Sequence, residues 1–420
     1  MNVGYAKRDI TPPVGIRLGG YAGRLGRPSQ AVHDSLLASA IFLASGSEEA
    51  ILIHSDILGI YRKLADNIKD AVCRKIGIEA NKIFFTTTHT HSGPETIIPM
   101  WPNTLPYGKE EKSVFEDWIN SFIDKVVEAS MEAYNNASHA SVKFGVTKCR
   151  KLAFNRTYRD GVIDEQVPFI CFKRGGERIL ITNYSCHPVC NVDFGISADY
   201  PGVLYANFAR EGVENFFTLG AAGDIDPIEK GRAFMSKMGF ELFSAVISSI
   251  SNAHELTAEK IAIEKREVSL KVRNVHSLEE AKATFMRVYE QCRNRLEDPQ
   301  CMVRLLYADE GYEVAKDYRV SIETIVQTLT IGGEIAFVSV PGEMFVEFGL
   351  KIKEAASLTG YKCIVISTCS EDYIGYIPDK RAFEIGAYEA TLARWSRVTG
   401  EAGNIIVEEV VKSLKTLKEK

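Results

Sequence analysis

The chain has 420 residues, 45% hydrophobic and 25% charged, a composition that excludes a disordered or fibrous polymer and suffices for a sizeable core. Its formal charge of -5 comes without a dense Lys/Arg block, which removes the electrostatic basis for a nucleic-acid partner. No stretch reaches the ~18 apolar residues of a membrane span, and MNVGYAKRDITPP carries neither an apolar signal core nor a cleavage pattern; the expectation is a soluble cytoplasmic protein with no membrane partner.

In chain order, LLASAIFLAS and AILIHSDILGI read as strands, residues 62 to 76 as a helix, and KIFFTTTH as a strand. Ile, Leu and Phe on both faces predict a sheet buried between helix layers. Residues 114 to 136 form the clearest helix, with Phe115, Trp118, Ile119, Phe122 and Val126 on one stripe. PFICFKRGGERILITNYS reads as a hairpin turning at Gly175 and Gly176 and delivering His187 at the end of its second strand. Two charged helices about 275–317 form a helical insertion or lid, after which SIETIVQTLTIGGEIAFVSV and KCIVIST return to strands around a helix from about 344 to 357. The tail KSLKTLKEK is the solvated end of an amphipathic helix. No repeat and no Pro/Gly/Ser linker interrupts this order, so the expectation is a single α/β domain over 1–420, a layered mixed β-sheet core flanked by helices.

Chemistry concentrates in TTTHTHSGPE. Strand alternation predicts that His89 and His91 project into one space, and the Ser92-Gly93-Pro94 turn would hold them at a cleft edge. Two imidazoles on one face either share a metal or divide into ligand and acid/base. His187 in SCHPVCN is delivered in the same way, whereas His33, His54, His139, His254 and His276 read as structural or solvated. Glu343 in VPGEMF and Asp224 and Asp226 in AAGDIDP end apolar runs beside Gly or Pro. Gly19 and Gly20 read as a turn near the site mouth. Asp56 is a candidate for orienting a ligand histidine, and Asn191 and Asp199 are candidates for lining the pocket.

Nine cysteines scattered along the chain fit reduced thiols better than a disulfide framework. Cys186 and Cys190 flank His187, which leaves a thiol enzyme as an alternative chemistry; adjacent strand residues, however, point to opposite faces.

Taken together, THTHSGP, CHP, AGDIDP, VPGE and DYIGY...YEA resemble, in this order, the signature blocks of the neutral/alkaline non-lysosomal ceramidase family, zinc amidases that cleave the N-acyl bond of ceramide. The resemblance runs from NVGYAKRDITPP to AYEAT and implies that family's catalytic-domain fold. It implies one Zn2+ held by His89, His187, Glu343 and Tyr376, a donor set that also accepts manganese or iron. It further implies His91 as the proton-exchanging histidine, and Arg156 of FNRT and Tyr388 as contacts to the scissile carbonyl and its oxyanion. Zinc lowers the pKa of bound water from about 15.7 toward ~7, so hydroxide attack on a carbonyl would be the expected reaction.

The chain departs from the family where substrate would approach. Asp226 stands where ceramidases carry a serine, Glu95-Thr96 follow HSGP, and the segment leading into Tyr388 reads EIGAY where the family has a QRY type. The expectation is therefore a metal-dependent, amidase-like hydrolase of a small polar substrate other than ceramide, with Glu95, Asp193, Asp199 and Arg156 forming a polar rim. Hydrolysis of a lactone or β-diketone from sugar or polyol catabolism is the alternative within this chemistry. A non-catalytic metal-binding homologue is the alternative outside it. A chain of this size is expected to form a homo-oligomer.

Overall fold

The computed structural model describes residues 1–102, 104–105 and 112–419; Lys420 of the tail lies outside them, and so do the side chains of residues 112 and 113. Three larger sheets organise the described residues. The first runs in the order Ile83–Thr87, Glu48–Ser55, Leu37–Ser45, Asn2–Asp9, Ser138–His139. The second runs Val213–Leu219, Glu177–Tyr184, Gln166–Arg174, Ser141–Lys148, His254–Glu255. The third runs Ile261–Lys271, Ser321–Ile331, Ile335–Ser339, Cys363–Ser367. Each is mixed, with one parallel pair at its edge: Glu48–Ser55 with Ile83–Thr87, Glu177–Tyr184 with Val213–Leu219, and Ile335–Ser339 with Cys363–Ser367.

The three sheets share one apolar core, in which Ile41, Leu52 and Phe84 of the first meet Phe172, Ile181 and Phe216 of the second and Leu329, Phe337 and Val365 of the third. Helices cover the opposite faces. Trp118, Phe122 and Val126 of Lys112–Asn135 pack on the first sheet. Leu204 and Phe208 of Tyr200–Arg210, with Met238 and Leu242 of Arg232–Ser249, pack on the second. Ile352 of Val346–Leu358 and Ile406 and Val410 of Ala402–Glu419 pack on the third. Burial on both faces explains why these strands read as apolar runs rather than alternating ones.

Three helices refine the sequence reading. Arg232–Asn252 is long and apolar enough by length and composition to cross a membrane; Phe234, Met235, Met238, Leu242 and Val246 on it are buried within the protein, while Phe240 is exposed. The expected insertion is a helix pair, Leu278–Cys292 and Pro299–Lys316, the first opened by a Ser277/Glu280 capping box. Glu310 on the second helix takes two guanidinium hydrogen bonds from Arg394 (2.9 and 2.5 Å), and the Tyr307 ring lies 6.3 Å from that of Trp395. The insertion thereby braces the segment that carries Trp395.

A buried ion pair ties the first sheet to a loop that approaches the site. Lys69 of the helix Arg62–Ile76 bonds Glu371, whose other oxygen accepts from the Phe85 amide (2.8 Å), and both side chains are almost fully buried. Removing one partner of such a pair strands a charge without water. Lys69→Ala is therefore expected to lower unfolding stability by about 3–5 kcal/mol, measured by denaturant titration; a loss of under about 1 kcal/mol would show that the pair is replaceable.

Candidate functional site

The site is assembled from loops that leave the carboxyl ends of strands in all three sheets, where α/β folds place ligands. Ile83–Thr87 leads to His89 and His91, Glu177–Tyr184 to His187, Ile335–Ser339 to Glu343, and Cys363–Ser367 to the segment ending at Tyr376. The strand stops at Thr87, so alternation is not what pairs His89 with His91, contrary to the sequence expectation. His89 adopts a left-handed backbone (φ 62°), as do Asp199, Cys369 and Glu371 nearby, a conformation uncommon outside glycine and worth following to function. That bend swings the two rings together, with Nε2 atoms 3.4 Å apart.

Three imidazoles and a carboxylate converge. His89, His91 and His187 offer ring nitrogens within 4.8 Å of one another, all three buried. Glu343 Oε2 lies 2.9 Å from His187 Nε2 and 3.4 Å from His89 Nε2. The tautomers follow from the other ring nitrogens. His89 Nδ1 faces the Leu58 carbonyl (2.5 Å) and His187 Nδ1 the Ile225 carbonyl (3.2 Å), and since a carbonyl only accepts, both Nδ1 atoms donate. In the neutral rings both Nε2 lone pairs then point at an anionic oxygen.

That arrangement requires a positive centre. Burial disfavours a charged His89, yet Cys369 and Glu343 beside it hold its titration well above the ordinary value. Burial together with its neighbours His89 and His187 drives His91 well below. Burial opposes ionisation of Glu343, but His89 and His187 keep it well below the usual carboxylate range. Without an ion, the raised titration of His89 favours its protonated form. The same donors fit a divalent cation: two Nε2 atoms fixed by backbone carbonyls, a carboxylate, and a third imidazole in reach.

Tyr376 lies beside Glu343 because Glu343–Met344 and Tyr376–Ile377 form a two-residue parallel ladder pairing these two positions. Its phenol accepts from Arg156 Nη2 (3.0 Å). Burial and Glu343 hold that phenol well above the ordinary value, while Arg156 opposes them. Arg156 also donates to Asp226 (2.9 Å), the Gly223 carbonyl (3.0 Å) and Glu389 (2.8 Å). Tyr388 is half-exposed, its ring edge-on to Tyr376 at 5.8 Å.

A cavity of about 170 Å³ opens on this cluster, lined by His89, His91, Arg156, Glu343, Tyr376 and Tyr388 among others; His187 sits behind that lining. Leu58, Ile97, Ile98, Met100 and Trp395 make an apolar wall, and Asp226 and Lys230 a charged edge. The expected rim is not found. Of its four residues only Arg156 lines the cavity: Glu95 is buried against Arg17 and the Met100 amide, Asp193 pairs with His33, and Asp199 accepts from the Asn191 and Tyr200 amides.

Other candidates resolve into support. Asp56 takes Thr88, Tyr205 and the Leu37 amide and touches none of the clustered histidines. Asp224 accepts from the Val346 amide (2.8 Å) and Asn155 (2.7 Å), joining the start of the helix after Glu343 to the Arg156 loop. Asn191 donates to Ser92 (3.0 Å) and so links the two histidine loops. Cys186 and Cys190 are fully buried, and burial raises both thiols far above the range in which a thiolate forms; neither is set up as a nucleophile.

Sequence reasoning missed three contributors. Tyr373 donates to Glu343 Oε1 (2.6 Å) from the same DYIGY block that carries Tyr376. Glu389, adjacent to Tyr388, anchors Arg156. Arg24 bonds the His91 carbonyl and Ser92. The first two lay inside motifs already singled out; Arg24 carried no local signal.

No family model matches the chain, and no curated protein matches it. Among solved structures it is similar to the neutral ceramidase of Pseudomonas aeruginosa, with a TM-score of 0.76 and 18% identity over 100% of this chain and 74% of that one. It is also similar to a ceramidase complexed with C2, with a TM-score of 0.74 and 16% identity over 100% of this chain and 75% of that one. The chain therefore has a neutral ceramidase-like fold.

Proposed function

We propose that the protein is a metal-dependent hydrolase acting on an amide or related carbonyl bond of a small polar substrate. The observation that carries this reading is the buried convergence of His89 Nε2 and His187 Nε2 on Glu343, at the floor of a cavity. In it His89, His187, Glu343 and Tyr376 hold one divalent ion, zinc being the best match to the donors. When bound there, such an ion polarises a carbonyl and makes water a stronger acid.

The chain's own groups divide the remaining work. Arg156 places a fixed positive charge beside the Tyr376 phenol, and with the Tyr388 hydroxyl it stabilises negative charge building on the carbonyl oxygen. His91 lines the cavity, and its buried Nδ1 has no hydrogen-bond partner among the described residues. It is the ring free to take a proton from water and return it to the leaving group. Leu58, Ile97 and Ile98 keep bulk water from the reacting atoms.

Ceramide fits poorly with this cavity. About 170 Å³ is below the ~300 Å³ at which pockets for drug-sized ligands begin, and ceramide carries two long chains. The ceramidase names of the solved neighbours therefore support the chemistry of this reading more than its substrate.

Metal analysis tests the core of the reading: the purified protein is expected to retain about one divalent ion per chain, and His187→Ala and Glu343→Ala to retain none. Because an ion that binds only the folded state stabilises it, chelation is expected to lower the melting temperature. An unchanged melting temperature with no metal retained would overturn the reading. His91 gives a separate test. A Cβ on Gly20, itself at φ +86°, would meet His91 Nδ1 at 2.3 Å. Gly20→Ala is thus expected to displace the ring and, like His91→Ala, to cut kcat by about 100-fold or more with metal content preserved. Full turnover in either variant would sink the proton-transfer role.

A further inference from the structure

The polar groups at the cavity edge differ in how fully they are engaged. Asp226 is held between two cations, Arg156 Nη1 on one oxygen (2.9 Å) and Lys230 Nζ on the other (2.8 Å). Each oxygen thus carries a cationic donor, which offsets the carboxylate's charge toward a substrate amine. Arg156 has four of its five donors taken, by Glu389, Asp226, Gly223 and Tyr376, which leaves one Nη1 hydrogen for the carbonyl oxygen. Lys230 differs. An ammonium has three donors, one is bound to Asp226, and the side chain is 37% exposed at the cavity edge. Lys230 therefore has spare donors at this edge.

Charge does not oppose this. Arg156 and Lys230 are offset by Asp226 and Glu389, so these four side chains leave no net negative charge at the cavity edge. A neutral edge with spare ammonium donors receives an anionic group more readily than a cationic one. Resting on the hydrolase reading, we propose that the substrate is a small acyl compound bearing a carboxylate, which Lys230 receives at the cavity mouth while its carbonyl faces the histidine cluster. Lys230 is then a specificity-determining residue. Its place follows from the chain of contacts Lys230, Asp226, Arg156, Tyr376, which sets the ammonium one carboxylate and one guanidinium from the phenol beside Glu343.

The test compares N-acetylglycine with its uncharged analogue N-acetylglycinamide, by calorimetric titration into zinc-loaded protein and into protein as purified. A hydrogen bond to a charged group contributes about 1.5–3 kcal/mol, so wild type is expected to bind the carboxylate at least about tenfold more tightly. Lys230→Gln is expected to bring that ratio close to one, and Lys230→Arg to keep most of it. Equal binding of the two by wild type, or a preference that survives in Lys230→Gln, would overturn the proposal. Zinc content is read separately on the same samples. Failure to retain zinc removes the hydrolase reading, whereas retained zinc without carboxylate preference removes only the role of Lys230.

Discussion

The structure turns on one buried carboxylate facing two imidazole lone pairs. Glu343 is only 4% exposed, and burying an ion costs several kcal/mol unless an opposite charge lies against it. His187 Nε2 at 2.9 Å and His89 Nε2 at 3.4 Å supply that charge only when a proton or a metal ion sits among them. The backbone has already decided where the rings point, because the Leu58 and Ile225 carbonyls hold their Nδ1 protons. A site organised in advance in this way spends little free energy on ordering its ligands when an ion arrives.

Rigidity at this point is supplied from all three sheets. Each contributes the end of a parallel strand, and each loop beyond is pinned to a neighbour: the His91 amide to the Pro188 carbonyl, the His187 amide to Ile225, and the Gly223 amide to Met344. Close packing leaves no slack there. A Cβ on Gly223 would come within 2.5 Å of the Glu343 carbonyl, so even alanine would move the carboxylate loop. The left-handed residues His89, Cys369 and Glu371 lie in these same segments, where surrounding structure can hold a conformation the chain would not choose alone.

Much of this was legible in the sequence because apolar runs and glycine-bounded motifs are local signals. The helix at 62–76, the hairpin into His187 and the strand-to-helix junction at Glu343 all follow from such patterns. What was not legible depends on contacts distant in sequence. Strand alternation put His89 and His91 on one face, but the residues lie beyond the strand and a bend unites them. Glu95 looked like a rim residue from its neighbours in sequence; Arg17 and the Met100 amide draw it inward. Tyr373 and Glu389 were overlooked since nothing in a linear reading separates a tyrosine that touches Glu343 from one that does not.

Arg156 connects these levels. It reaches the site because Ala153–Asn155 pairs with Ile225–Pro227 and its amide donates to the Asp224 carbonyl, so the loops carrying Arg156 and Asp226 are fixed in register. Burial disfavours its charge, but Tyr376, Asp226 and Glu389 more than compensate, so the guanidinium stays charged. Serine at position 226 would remove one of those anions and free a guanidinium nitrogen toward the cavity. Aspartate closes that position and recruits Lys230. The ammonium of Lys230 thereby keeps spare hydrogen-bond donors at the edge of the cavity, while Arg156 stays held against the Tyr376 phenol.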